Sequence, residues 1–117
     1  MKMDIETTKF EELGTWITYE NKIIVDGQLV GKAYTMVDSE DEDQTYLETI
    51  DIDEDFRNQG FGTQAINKLA EQTDLLYFAP TDENNQRLYK RIAYDMEEAM
   101  SDVPEVDQGF GVYFLEK

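Results

Sequence analysis

Between Tyr46 and Ala70 the apolar pattern switches from alternation to helical spacing, and it does so across a pair of glycines. Leu47, Thr49 and Asp51 are predicted to face one way and Glu48, Ile50 and Ile52 the other, the signature of a strand. Phe61, Ala65, Ile66 and Leu69 then fall on one face of a helix. Arg57-Asn58-Gln59-Gly60-Phe61-Gly62 lies between the two patterns. Glycine takes positive φ and has no Cβ, so a ligand can come close to the backbone. The first amides of a helix lack internal acceptors and carry the positive end of its dipole. Strand, glycine turn and helix start together predict a cradle for a phosphate group.

Upstream, the sequence reads mostly as antiparallel strands. A short helix is expected within residues 1–14: Thr7 or Thr8 would cap it, Phe10 and Leu13 share a face, and Gly14 would end it. Trp16 and Thr18 alternate with Ile17 and Tyr19, which predicts a strand over Thr15–Glu20, with Trp16 in the core or in a dimer contact. Asp26-Gly27 separates Lys22–Val25 from Gln28–Val37, both rich in β-branched and aromatic residues, and predicts a hairpin. Asp38 to Gln44 reads as an acidic turn. Its oxygens are hard-cation donors, but the glycine and ligand spacing of an EF-hand loop are missing, so a solvated loop without a metal is expected.

Downstream, Leu75 to Ala79 is a continuous apolar run ended by Pro80. Strand, helix and doubly apolar strand describe a right-handed parallel crossover. Thr81 or Asp82 would cap a second helix carrying Leu88, Tyr89, Ile92 and Ala93, and Met96, Ala99 and Met100 extend that period as far as Met100. Pro104 breaks it, and Gly111 to Lys117 closes the chain as a strand. No repeat or linker divides residues 1–117, so one domain is expected. The fold class is α+β: a mostly antiparallel mixed sheet with one parallel βαβ step.

The chain contains no histidine and no cysteine. A thiolate nucleophile, a disulfide framework, the commonest general base and every Ser-His-Asp arrangement are thereby excluded. No apolar run approaches the ~20 residues of a membrane span, and no secretory leader opens the sequence, so a cytoplasmic setting is expected. Asp and Glu number 27 against 10 Lys and Arg, a net charge of −17. Such a charge repels nucleic acid and suits a cationic partner, whether an amine, a basic peptide or a basic protein. The plainer reading, in which the acidity only maintains solubility, stays open. Acidic residues crowd from Asp38 to Asp55, whereas Arg57, Lys68, Arg87, Lys90 and Arg91 follow. A polyanionic ligand therefore belongs on the second half.

The hexapeptide Arg57 to Gly62 resembles the central motif of the GNAT superfamily of N-acetyltransferases: Arg or Gln, any two residues, Gly, any residue, then Gly or Ala. Ile52 to Phe56 is similar to that family's approach to the motif. Leu88-Tyr89-Lys90-Arg91-Ile92-Ala93-Tyr94 resembles its Leu-Tyr-Glu-Lys-Leu-Gly-Phe, and Val112 to Lys117 its last strand. The resemblance runs from Val25 to Lys117. It implies a GNAT-like acyl-CoA N-acyltransferase fold, acetyl-CoA as cosubstrate with no metal, and transfer to a primary amine of a cationic small molecule, peptide or protein.

By the same resemblance, backbone amides of Gln59, Gly60, Phe61, Gly62 and Thr63 would hold the pyrophosphate, with Arg57 nearby. The strand edge at Ile50 and Ile52 would pair with the pantetheine arm, and Asn85, or its neighbour Asn84, would add a contact. Tyr89 would be the acid that protonates the departing thiolate. Glu48 is the candidate base, with Asp51 and water as alternatives. A base matters because freeing an amine of pKa about 10.4 at pH 7 costs roughly 4.6 kcal/mol. Three departures from the pattern stand out. Asp82 replaces a frequent asparagine, and Ala93 replaces a glycine. The segment before the first hairpin is short where the family usually builds helices over the acceptor site, which implies an open site suited to a peptide or protein amine. A homodimer is compatible with this reading. A non-catalytic acyl-CoA-binding regulatory module and an acidic interaction protein for a basic partner are the alternatives.

Overall fold

The computed structural model describes residues 2–78, 94–95 and 113–116. Four long strands form an antiparallel meander: β1 (Met3–Leu13), β2 (Trp16–Val25), β3 (Gln28–Asp38) and β4 (Asp41–Ile52). A 3-10 turn at Glu54–Phe56 leads to the helix α1 (Phe61–Ala70), followed by β5 (Leu75–Phe78), β6 (Tyr94–Asp95) and β7 (Tyr113–Glu116). All the strands join one sheet in the order β1-β2-β3-β4-β5-β7-β6. β4 and β5 are parallel, and the remaining neighbours are antiparallel. This is the expected α+β sheet with one parallel step.

Tight turns set the register. Asp26 and Gly27 take φ values of 50° and 84°, the left-handed pair of a type I′ hairpin. Leu13 stands opposite Trp16, so β1 passes into β2 through Gly14-Thr15 alone, with Gly14 at φ 61°. Asp38 stands opposite Asp41, which confines the third turn to Ser39-Glu40.

Several sequence expectations are corrected here. The N-terminal segment is a strand, not a helix; Thr7 pairs with Asn21, and Leu13 with Trp16. The spacing of Phe10 and Leu13 was a local coincidence, and tertiary pairing with β2 overrides it. Trp16 is 39% exposed, so it is not a core residue. Thr15–Glu20 and Lys22–Val25 belong to a single strand, and Asp41 to Gln44 is the start of β4. The second helix does not run to Met100 uninterrupted: Tyr94 and Asp95 are paired with Phe114 and Tyr113 of β7. The expected cap at Thr81 or Asp82 and the residues from Leu88 to Ala93 lie outside the described residues.

The core lies between α1 and one face of the sheet. Phe61, Ala65, Ile66 and Leu69 of the helix are buried against Met3, Ile23, Ala33, Leu47, Leu76 and Phe78. Each large apolar side chain so buried contributes about 1.5–3 kcal/mol. One polar group is fully buried on that same face. Asn21 donates through Nδ2 to the Ala33 carbonyl at 3.1 Å and to Thr35 Oγ1 at 2.9 Å, and it accepts from Thr7 Oγ1 at 2.7 Å. Its amide ties three strands together in one register.

Candidate functional site

The turn from β4 to α1 is built on two left-handed residues, Asn58 at φ 64° and Gly60 at φ 80°. Asparagine is among the few side chains that tolerate this conformation, a signal that sequence reasoning overlooked. Gly60 is the N-cap of α1, and no side chain caps the helix. The first helical hydrogen bond runs from Gln64 N–H to the Gly60 carbonyl at 3.1 Å. The amides of Gly60, Phe61, Gly62 and Thr63 therefore have no acceptor within the helix. They border a cleft of about 380 Å³ lined by Ile52, Phe56, Arg57, Asn58, Gly60, Phe61, Gly62 and Thr63.

Six of the predicted cofactor-contacting residues thus meet in one cleft: Ile52, Arg57, Gly60, Phe61, Gly62 and Thr63. The Phe61 side chain is buried in the core, so what it offers the cleft is its backbone amide. Gln59 and Ile50 are not in the lining; Ile50 packs against the core. Phe56 and Asn58 are additions. A Cβ placed on Gly60 would meet only Gln64 Nε2, at 3.8 Å, so the backbone there faces open space. That openness, with no carboxylate in the first turn of α1, makes the helix start compatible with an anionic group. Asn85 and Tyr89 lie outside the described residues.

Along β4 the alternation expected from sequence is broken. Tyr34 pairs with Thr49 but Thr35 pairs with Leu47, which leaves Glu48 as the extra residue of a β-bulge. The bulge shifts the phase by one residue. Leu47, Ile50 and Ile52 consequently all pack toward the core beneath α1, and Glu48 does not share a face with Ile50 and Ile52. Glu48 instead borders a basin on the opposite side of the sheet, beside Phe10, Tyr34 and Thr49.

β4 also runs on past the described part of its parallel neighbour, which ends at Phe78. The ladder with β5 covers only Gln44–Leu75, Thr45–Leu76 and Tyr46–Tyr77. From Leu47 to Ile52 that edge of β4 has no strand partner among the described residues. At the last paired position the rings of Tyr46 and Tyr77 stack at 5.1 Å between centroids. Burial raises the pKa of both phenols above the usual value near 10; the Glu48 carboxylate adds to the rise at Tyr46, and the neighbouring Tyr46 adds to it at Tyr77. Both rings are therefore neutral at physiological pH.

β4 therefore leads, along an edge with no strand partner among the described residues, to an uncapped, glycine-turned helix start. The sequence profile of the acetyltransferase (GNAT) family matches residues 2–94, and the chain belongs to that family. The family's general activity is acetyl-CoA-dependent acyl transfer.

Solved structures agree on the fold. An acetyltransferase from Thermus thermophilus superposes with a TM-score of 0.59 at 15% identity, covering 86% of this chain and 64% of that one. A GNAT-family acetyltransferase from Staphylococcus aureus gives 0.56 at 17% identity, covering 85% and 68%. A GNAT-family acetyltransferase from Elizabethkingia anophelis, solved with acetyl-CoA bound, gives 0.56 at 15% identity, covering 88% and 77%. The chain therefore spans slightly under two thirds of the Thermus protein. A comparison with curated proteins gave no match.

Proposed function

We propose that the protein is an N-acetyltransferase that moves the acetyl group of acetyl-CoA directly onto the primary amine of a cationic acceptor in a ternary complex. The observation that carries this reading is the continuity of the β4 edge, which has no strand partner from Leu47 to Ile52 among the described residues, with the cleft formed by Arg57, Gly60, Gly62 and Thr63. The open amides of α1 suit the pyrophosphate, and the backbone of that β4 edge suits the amide-bearing pantetheine arm. Along a strand, Glu48 and Ile52 are about 13 Å apart, so the thioester end and the phosphate end occupy different stretches of β4.

In this reading the acceptor ammonium first gives up a proton to a carboxylate or a water that it polarises. The amine lone pair attacks the thioester carbonyl, the new C–N bond forms, the C–S bond breaks, and the thiolate takes up a proton. With no cysteine in the chain, no thioester-enzyme intermediate can form. Glu48 remains the candidate base and Tyr89 the candidate acid. A cytoplasmic setting belongs to the same reading, because acetyl-CoA is held inside cells.

The test is calorimetric titration with acetyl-CoA, followed by thiol release with a panel of polyamines, aminoglycosides and lysine peptides. Binding with thiol release on one of these amines supports the proposal. Binding without turnover on any amine supports the non-catalytic module instead. Tyr89→Phe is expected to slow turnover while binding persists; an unchanged rate would remove Tyr89 from the acid role.

A further inference from the structure

α1 packs against one face of β1 to β5, and its apolar contacts account for that face. Over the opposite face of β1 to β4 nothing is packed among the described residues. The reason is local: β1 turns into β2 through Gly14-Thr15, so no chain is left between them to lie across the sheet. The composition of this bare face is specific. Strand pairing puts Thr18, Met36, Tyr46 and Tyr77 in one cross-strand row, and Glu20, Tyr34 and Thr49 in the next. The Phe10 ring, 59% exposed, stands edge-on to Tyr34 with centroids 5.2 Å apart. Tyr34 Oη donates to Glu20 Oε2 at 3.1 Å, which ties the ring to a carboxylate. Between these rows lies a basin of about 290 Å³, bordered by Phe10, Glu11, Tyr34, Met36, Glu48 and Thr49.

We propose that this face is the acceptor platform, and that its occupant is an extended basic polypeptide segment which lays a lysine side chain across Phe10 and Tyr34. The proposal rests on the acetyltransferase reading above and deepens it to a substrate class. Three observations select the occupant. Aromatic faces next to carboxylates bind the apolar stem and the ammonium head of lysine together. Glu11, Glu20 and Glu48 supply the complementary charge on a protein whose net charge is −17, which also disfavours a second copy of this chain as the occupant. The face is flat and several strands wide rather than enclosed, a shape that polypeptides use and that buried small molecules do not. Its position suits the chemistry as well. Glu48 and Thr49 lie just beyond Tyr46, the last residue of β4 paired with β5 among the described residues, so a lysine held in the basin lies beside the β4 edge that the acetyl-CoA reading uses.

The chain's single tryptophan, Trp16, lies on the same face and reports on it directly. A twelve-residue peptide alternating lysine and serine is titrated while Trp16 fluorescence is followed, with spermidine and a glutamate-for-lysine peptide as comparators, and steady-state acetylation is measured in parallel. The lysine peptide is expected to change the fluorescence saturably, with an affinity that falls at least tenfold between 50 and 300 mM salt. Phe10→Ser and Glu11→Gln, both at exposed positions, are each expected to raise KM for the peptide five- to tenfold and to leave KM for acetyl-CoA unchanged. If spermidine is acetylated as efficiently as the peptide and neither substitution moves KM, the platform is wrong while the acetyltransferase reading stands. If no amine is acetylated but the peptide still binds and Phe10→Ser weakens it, the platform stands and the catalytic reading fails. Absence of any peptide effect on Trp16 together with an unmoved KM overturns the proposal.

Discussion

Arg57 folds back over the end of β4, with its Nη2 3.2 Å from Oδ1 of Asp51 and its Nε donating to the Ile52 carbonyl at 2.8 Å. The guanidinium thereby holds the last turn of the strand against the lip of the cleft. The pair is exposed, so its electrostatic contribution to stability is at most about 1 kcal/mol. Its value lies in where it leaves the charge. Arg57 stands beside the open amides of α1 and can exchange Asp51 for a phosphate, a partner that guanidinium binds through two parallel hydrogen bonds.

Arg57→Ala is therefore expected to lower the melting temperature by only a few degrees while weakening acetyl-CoA about tenfold, near 1.4 kcal/mol. Differential scanning calorimetry and isothermal titration separate the two effects. A large loss of stability with unchanged affinity would show that the residue only closes the turn.

Gly60 separates conformation from charge. Its φ of 80° makes Gly60→Ala cost about 1–2 kcal/mol of stability, although the space around it is open. Gly60→Glu carries the same backbone cost but also places a carboxylate where the diphosphate would sit. Acetyl-CoA affinity is expected to fall about 100-fold, near 2.7 kcal/mol, for the glutamate variant and much less for the alanine variant. Equal affinities in titrations of the two variants would rule out the cradle.

Gly31 makes a different demand. A Cβ there would collide with the Asp51 carbonyl oxygen and come within 3.0 Å of Ile52 Cα. Gly31→Ala must push β3 away from the end of β4 that borders the cleft, so we expect a loss of about 1–3 kcal/mol in urea denaturation and a weaker grip on acetyl-CoA. Wild-type stability in this variant would mean that the strands separate there without cost.

Asn21→Leu keeps the branching but strips partners from Thr7 Oγ1, Thr35 Oγ1 and the Ala33 carbonyl. Leaving buried polar groups unpaired is expected to cost roughly 2–3 kcal/mol, read as a lower denaturation midpoint with an unchanged slope. A neutral effect would mean that water replaces the amide.

Tyr46 and Tyr77 set an alkaline limit. Their folded pKa values are raised above the unfolded value near 10, so the folded state holds those protons more tightly. The associated stability is fully present below pH 10 and is lost as pH rises through the folded values. Absorbance titration at the tyrosinate band should show these two phenols ionising late, together with Tyr34, whose hydrogen bond to Glu20 also raises its pKa, and Tyr77→Phe should remove one of them. Titration of every tyrosine near pH 10 would contradict the shifts expected of this half-buried pair.

The cleft was readable because its determinants are local. The glycine turn, the helix face of Phe61, Ala65, Ile66 and Leu69, and the Asp26-Gly27 hairpin each follow from conformational preferences within a few residues. The face of β1 to β4 opposite α1 was not legible, because its rows of side chains come from strands that are distant in sequence. The strand β1 was misread because Phe10 and Leu13 satisfy a helical spacing by chance, and only pairing with β2 decides between the two.

The sequence alone determined the family motif, the charge, the absence of histidine and cysteine, and the switch from strand to helix, since all of these reside in consecutive residues. Tertiary structure decided the face on which Glu48 lies. A single bulge, fixed by how Tyr34 and Thr35 pair across to β4, shifts every later side chain by one position, and no local pattern reveals where a partner strand will skip a residue.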